Sequence, residues 1–178
     1  MQLKQNFNSI LPVLGVSVVK NESTLFVQHT DLIPTLLVLK NHITWQYTLL
    51  SSISGVDYLY SKQRFCVVYD LLSLCTNSRV RLKTFINEIT SLESATTVFK
   101  NANWWEREVW DLFGIYFKNH LDLRRLLTDY GFEGFPMRKD YPLVGFIELR
   151  YDLTKKRIVL EPVELAQDFR FFNFETPW

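Results

Sequence analysis

Residues 103–145 constrain this chain more than any other stretch, because a helical pattern there runs into a segment with no period at all. Asn103 is a good N-cap, and Glu106 stands three residues on, the spacing of a capping box. Gly114 falls where a helix likes to stop. Trp105, Val109, Leu112 and Phe113 share one face, while Glu106, Arg107, Glu108 and Asp111 share the other. Three of those four are acidic, so the helix needs cations from elsewhere. They follow at Arg124, Arg125, Arg138 and Lys139. Four of the six glycines (Gly114, Gly131, Gly134, Gly145) and two of the six prolines (Pro136, Pro142) lie between 114 and 145. A long irregular segment is usually functional or disordered, and this one is too rich in Leu, Phe, Tyr and Trp for disorder. The expectation is a fixed irregular surface, shaped by glycine turns and by Arg–carboxylate forks.

The 178 residues suffice for one domain with a real core plus an extension. A net charge of +1 gives no electrostatic case for nucleic acid or an anionic membrane. Residues 101–145 balance six Lys/Arg against seven Asp/Glu, the profile of internal pairing or of a partner surface. Two cysteines, Cys66 and Cys75, cannot supply the four ligands of an iron–sulfur cluster. No apolar run approaches the roughly 18–20 residues of a membrane span. The N-terminus carries Lys4 and no arginine before Arg64, and shows neither presequence character nor a signal h-region.

Along the chain, residues 2–12 read as a short helix, and 13–19 with 24–29 as a hairpin. Asp31 reads as the N-cap of a helix over 32–40, with Ile33, Leu36, Leu37 and Lys40 as its inward stripe. Residues 45–50 and 54–60 read as extended, with a bend at Gly55. Strong strand patterns cover 63–73 and 79–86, the second alternating Val80, Leu82, Thr84 and Ile86 against Arg79, Arg81 and Lys83. Residues 146–153 and 157–160 read as a further hairpin, interrupted by Glu161-Pro162. Phe169, Phe171, Phe172, Phe174 and Trp178 crowd the last sixteen residues without a period. Each buries about 150–250 Å² when covered, so an extended arm laid over a neighbour is expected. The fold class is α+β: a mainly antiparallel sheet with helices packed on it, in a domain over 1–115. An irregular motif segment and arm over 116–178 follows.

Glu106, Glu108 and Asp111 with His120 and Asp122 have the residue types of a metal or acid/base site. No second histidine lies near, and the cations compete for the same carboxylates, so a structural ion-pair network is favoured. His120 reads as a hydrogen-bonded structural histidine. Trp110 lies off the apolar stripe and is a candidate partner contact. Arg124, Arg125 and Arg138 also have the makings of an anion site in a free-standing binding domain. An independent hydrolase built on the acidic helix and His120 is the other alternative.

The run Glu106-Arg107-Glu108, then Asp111-Leu112-Phe113-Gly114, His120 and Leu123-Arg124-Arg125-Leu126-Leu127, resembles the signature of one family. It is the thirty-kilodalton subunit of NADH:ubiquinone oxidoreductase, respiratory complex I. Asp129-Tyr130-Gly131-Phe132-Glu133-Gly134, Pro136, Arg138-Lys139-Asp140 and the ending Phe169-Arg170 to Pro177-Trp178 fit as well. The resemblance is dense over 101–178, and closer to bacterial and mitochondrial members than to plastid ones. It implies a cofactor-free subunit of the hydrophilic arm, with flavin mononucleotide and iron–sulfur clusters in other subunits. Its partners would be the quinone-module and terminal cluster-bearing subunits. It would have no membrane span, and would lie on the matrix side of the mitochondrial inner membrane or on a bacterial cytoplasmic face. A mitochondrial member with this N-terminus would be made inside the organelle or numbered after cleavage. The complex oxidises NADH and reduces ubiquinone, while this chain would hold geometry.

Overall fold

The computed structural model describes residues 7–19, 22–170 and 172, so Phe171, Phe174 and Trp178 lie outside them, as do residues 2–6 of the expected first helix. The chain order is α1 (Phe7–Ile10), β1 (Val13–Val19), β2 (Glu22–Val27), α2 (Leu32–Asn41), β3 (Leu49–Asp57), β4 (Phe65–Ser73) and β5 (Ser78–Ile86). After these come β6 (Leu92–Glu93), α3 (Ala102–Phe113), β7 (Phe117–Lys118), β8 (Ile147–Asp152) and β9 (Arg157–Pro162). Contacts divide the chain into two compact units, Met1–Asp140 and Tyr141–Trp178.

The first unit is α+β. Its five-stranded sheet has the order β1-β2-β5-β4-β3, antiparallel except where β2 runs parallel to β5. β4 is apolar without alternation, and its first five residues are buried on both faces. β5 alternates as its sequence dictates, burying Val80, Leu82, Thr84 and Ile86. Cys66 is buried and Cys75 exposed, and both thiols are free.

Two expectations fail for identifiable reasons. α2 buries Leu32, Thr35, Leu36 and Leu39, and leaves Leu37 exposed. That helix is apolar nearly all round, so spacing alone does not select which stripe turns inward. Asp31 is at its N-cap but makes no capping bond with its side chain, and its carbonyl accepts the Thr35 hydroxyl instead. Residues 49–57 form one strand running straight through Gly55, where a bend was expected. Gly55 is required for a different purpose, since a Cβ there would sit 2.6 Å from Cδ2 of Phe113. The glycine lets α3 lie close on β3. Gly55→Ala is therefore expected to lose about 1–3 kcal/mol of stability through overpacking. Urea unfolding checks this, and Phe113→Leu in the same chain should restore part of the loss.

The second unit holds a β8–β9 antiparallel hairpin. Glu161 and Pro162 pair with Glu148 and Ile147, so they extend the strand that they were expected to interrupt. Its turn is closed by the Asp152 carboxylate, which accepts the N–H groups of Thr154 and Lys155. Pro162 is tolerated because a two-stranded ribbon is all edge. Residues 163–170 form neither helix nor strand, and Phe169 and Phe172 are exposed.

Candidate functional site

α3 is the element on which the motif residues converge. It begins one residue before Asn103, with Asn101 at the N-cap, and the Asn101 amide donates to the Leu50 carbonyl at 2.7 Å. The expected capping box is absent. Glu106 is fully buried, and its carboxylate caps a different turn, the 3-10 turn Ala95–Thr97. It accepts the Ser94 hydroxyl and the Ala95 N–H, each at 2.6 Å. Gly114 ends the helix as expected, at φ +74°, with its N–H on the Trp110 carbonyl. A Cβ there would also lie 2.6 Å from the Phe135 ring.

The face expected to be polar is largely sealed: Glu106 and Asp111 are 0% exposed and Arg107 6%. Asp111 and Arg107 grip the main chain of residues 124–128 by opposite groups. One Asp111 oxygen accepts the N–H of Leu126 (3.1 Å), Leu127 (2.7 Å) and Thr128 (2.9 Å). The other accepts the Thr128 hydroxyl at 2.6 Å and Arg125 Nη1 at 3.1 Å. Arg107 donates from Nε to the Arg124 carbonyl at 3.2 Å and from Nη2 to the Arg125 carbonyl at 3.1 Å. Burial pushes the Asp111 pKa up, but the Thr128 hydroxyl and the three amides pull harder, and it falls to about 2.

The cations divide their work. Arg125 also donates to the Gly134 carbonyl at 3.0 Å and lies over the Phe132 and Phe135 rings. Arg138 donates to the Phe113 carbonyl at 2.6 Å, placing a positive charge at the C-terminus of α3, and packs between Phe65 and Phe135. Among the described residues Arg124 pairs only with Asp122, and both are well exposed, so that bridge adds little. Asp129 is exposed and accepts the Tyr130 N–H. Glu108 is half-buried, with no ion pair among the described residues. Trp110 packs edge-on against Tyr116 and Phe135, whereas Trp104 is the helix tryptophan left 67% exposed.

A second hub escaped the sequence reading. Arg64 makes a two-point contact with the buried Asp57 (2.8 and 3.0 Å) and also bonds Glu88 and Asp140. The Lys139 N–H joins Asp57 at 2.8 Å, so Lys139 contributes its backbone while its residue stays exposed. Burial opposes ionisation of Asp57, but Arg64 and the Lys139 amide outweigh it and hold its pKa below the usual carboxylate value. No periodicity marks Arg64, whose partners lie 7, 24 and 76 residues away.

His120 has a fully buried side chain. Its Nδ1 accepts the Asp122 N–H at 3.1 Å, which leaves Nε2 to donate to the Asn103 carbonyl at 3.2 Å. The Glu106 carboxylate is 3.8 Å away. Sealed from solvent, this pair has no route to a substrate, and a hydrolase has no support here. Burial raises the Glu106 pKa to about 7, although Ser94 and Ala95 pull it down. The sign follows from that rise. The fold favours protonated Glu106, so this stability is complete below pH 4.5, shrinks as pH climbs toward 7, and is gone above it. At about 1.4 kcal/mol per pKa unit the loss is ~3 kcal/mol. Urea midpoints from pH 5 to 8 should fall for the wild type and stay flat for Glu106→Gln. An equal slope in both would disprove the assignment.

Among the described residues no three His, Cys, Asp or Glu side chains cluster as a metal site, and no helix is long and apolar enough to cross a membrane.

Residues 25–146 match the family described as respiratory-chain NADH dehydrogenase, 30 kDa subunit. The chain is 50% identical over 188 residues to NADH-ubiquinone oxidoreductase subunit 9 of Reclinomonas americana, covering 98% of this chain and 92% of that protein. It is 54% identical over 154 residues to NADH dehydrogenase (ubiquinone) iron-sulfur protein 3 of Oryza sativa subsp. japonica, covering 86% and 81%. A chain in the structure of an archaeal membrane-bound sulfane sulfur reductase, a respiratory membrane complex, shares the fold. Its TM-score is 0.67 at 20% identity, over 80% of this chain and 84% of that one.

Proposed function

The chain belongs to the 30 kDa subunit family of respiratory-chain NADH dehydrogenase, and from that premise we propose that it is a structural core subunit of the complex I hydrophilic arm. In this reading it braces the quinone-module subunits and those carrying the terminal clusters, on the matrix side of the mitochondrial inner membrane. The holoenzyme passes electrons from NADH to ubiquinone through flavin mononucleotide and iron–sulfur clusters bound elsewhere. This chain binds none of them. Although one relative carries "iron-sulfur protein" in its name, two thiols, one buried and one exposed, fall short of a cluster's four ligands.

The observation that carries the proposal is identity of 50% across 98% of the chain to a subunit of NADH-ubiquinone oxidoreductase. The geometry gives it a physical form. Electron transfer needs fixed spacings between centres, and a surface locked by Asp111, Arg107 and Arg64 resists deformation. Arg125, Arg138, the Asp129 turn and the aromatic ending through Phe169, Phe171, Phe172 and Trp178 are proposed to lie at or beneath the surfaces that neighbours contact. The test is native gel migration of the tagged chain with identification of co-migrating proteins. Co-migration with complex I subunits is expected. A chain found alone at its own mass, with NADH:ubiquinone activity intact in its absence, would overturn the reading.

A further inference from the structure

The β8–β9 ribbon sorts its side chains by face. Ile147, Leu149 and Tyr151 alternate along β8, and their partners across the ladder are Pro162, Leu160 and Ile158. Residues opposite one another on an antiparallel pair share a face, and successive residues point to opposite faces. All six apolar side chains therefore lie on one side. The other side carries Glu148, Arg150, Asp152, Arg157 and Glu161, with Val159 as its one apolar member. The apolar side is left uncovered among the described residues: Pro162 is exposed, and the other five are between 56% and 68% exposed. A two-stranded hairpin is marginal in water unless a further layer packs on it. A contiguous exposed apolar patch marks an interaction surface.

The hairpin tip gives the chemistry of the missing layer. Lys155, Lys156 and Arg157 follow one another there, and their side chains make no hydrogen bond or ion pair among the described residues. Two of the ribbon's own carboxylates are engaged elsewhere. Glu161 takes both contacts of Arg150, at 2.9 and 2.7 Å, and Asp152 closes the turn. Lys155 lends Glu161 its field without bonding it. Three cations at one end of an apolar face call for a protein surface that is apolar along its length and carries carboxylates at that end. Other covers fit less well. Three cations fall below the roughly 4–8 that hold a segment to anionic lipid, and residues 141–178 carry five Lys/Arg against six Asp/Glu. A second copy would offer the tip the same carboxylates, already engaged within its own ribbon. Six side chains also fall well short of the about 20–30 residues a side of a free-standing interface.

We infer that the apolar side of β8–β9 docks on a neighbouring subunit of the complex, along an apolar strip whose acidic end receives Lys155 and Lys156. Burial of the six side chains supplies the affinity and provides the layer that the ribbon lacks by itself. The charges at the tip fix its direction along the strip. The inference rests on the subunit reading above and adds the place and chemistry of one contact.

Carbodiimide, which joins a lysine amine to a carboxylate in contact with it, tests the tip in the purified complex. Lys155 or Lys156 is expected to couple to an Asp or Glu of another subunit, read by mass spectrometry. No coupling, or coupling confined to this chain's own carboxylates, overturns the inference. Leu149→Thr with Leu160→Thr keeps good strand formers and makes the centre of the face polar. Lys155→Glu with Lys156→Glu reverses the tip. Each pair is expected to cut incorporation several-fold and to leave the free chain's urea midpoint unchanged, because these side chains are exposed there. Glu148→Gln, on the other side of the ribbon, should incorporate normally. Full incorporation of both paired variants, or an equal loss with Glu148→Gln, means that the face is not a docking site, and the subunit reading stands. The free chain is also mixed with phosphatidylcholine–phosphatidylglycerol vesicles and sedimented alone. Vesicle binding or self-association that the Leu149 and Leu160 pair abolishes gives the face to lipid or to a second copy, and either overturns the inference. Failure of the wild-type chain to enter any complex overturns the subunit reading as well.

Discussion

Asp111→Ala is expected to cost about 3–5 kcal/mol, the range for breaking one side of a buried, fully bonded charge. The loss has three sources. The Leu126, Leu127 and Thr128 amides lose their acceptor, the Thr128 hydroxyl loses its partner, and Arg125 loses its carboxylate while keeping the Gly134 carbonyl, a long contact to the Asp111 carbonyl and its two rings. An unmet buried donor costs about 1–3 kcal/mol in its own right. Urea unfolding of the full chain measures the total, and hydrogen exchange at residues 126–128 locates it. Asparagine, which keeps an acceptor oxygen, should recover part of the loss. A cost below about 1 kcal/mol with those amides still protected would show that something else holds the segment. The pH dependence carries the same signature with opposite sign to Glu106. With a folded pKa near 2 against an ordinary 3.8, Asp111 stabilises fully above pH 4 and loses that contribution as pH falls toward 2.

Arg64→Ala should be of similar size, about 3–5 kcal/mol, and for a reason confined to one partner. Glu88 and Asp140 are about half exposed and can turn to water, but the Asp57 side chain is fully buried. Without Arg64, Asp57 retains a single donor among the described residues, the Lys139 amide, and the Arg138 charge nearby, against the cost of burial. Its folded pKa would then rise, and the stability that Asp57 loses on acidification would shrink. A cycle with Asp57→Asn separates the pair: the double variant should be less destabilised than the sum of the singles by about 1–3 kcal/mol. Strict additivity would mean that the two residues do not depend on each other. Because Lys139 and Asp140 hang on this hub, exchange at residues 138–140 should rise in Arg64→Ala and remain unchanged in Asp111→Ala.

Where the sequence was legible, a local rule was at work. Alternation at Val80, Leu82, Thr84 and Ile86 identified β5, because strand geometry turns every second residue inward. Gly114 marked the end of α3, because only a residue without Cβ takes that dihedral cheaply. The 106–127 signature pointed to the family that the comparisons then showed. Where reading failed, two structures satisfied the same local rule. Glu106 has the spacing of a capping box for α3 but caps the Ala95–Thr97 turn, because burial against that turn gives its carboxylate two other donors. The α2 stripe was off because an all-apolar helix offers several stripes.

By itself, then, the amino-acid order determined the elements, their inward faces where polar residues alternate, and a charged, glycine-bent segment that had to be held rigid. Only the tertiary structure decided what the charges would hold. Arg107 binds backbone carbonyls 17 and 18 residues away, Asp111 binds backbone amides 15 to 17 residues away as well as the Arg125 and Thr128 side chains, and Arg64 gathers acids from across the first unit. The reason is range. A helix or strand is set by dihedral preferences over a few residues, whereas a buried charge takes whichever donors the chain path delivers once water is excluded, and spacing does not record that path.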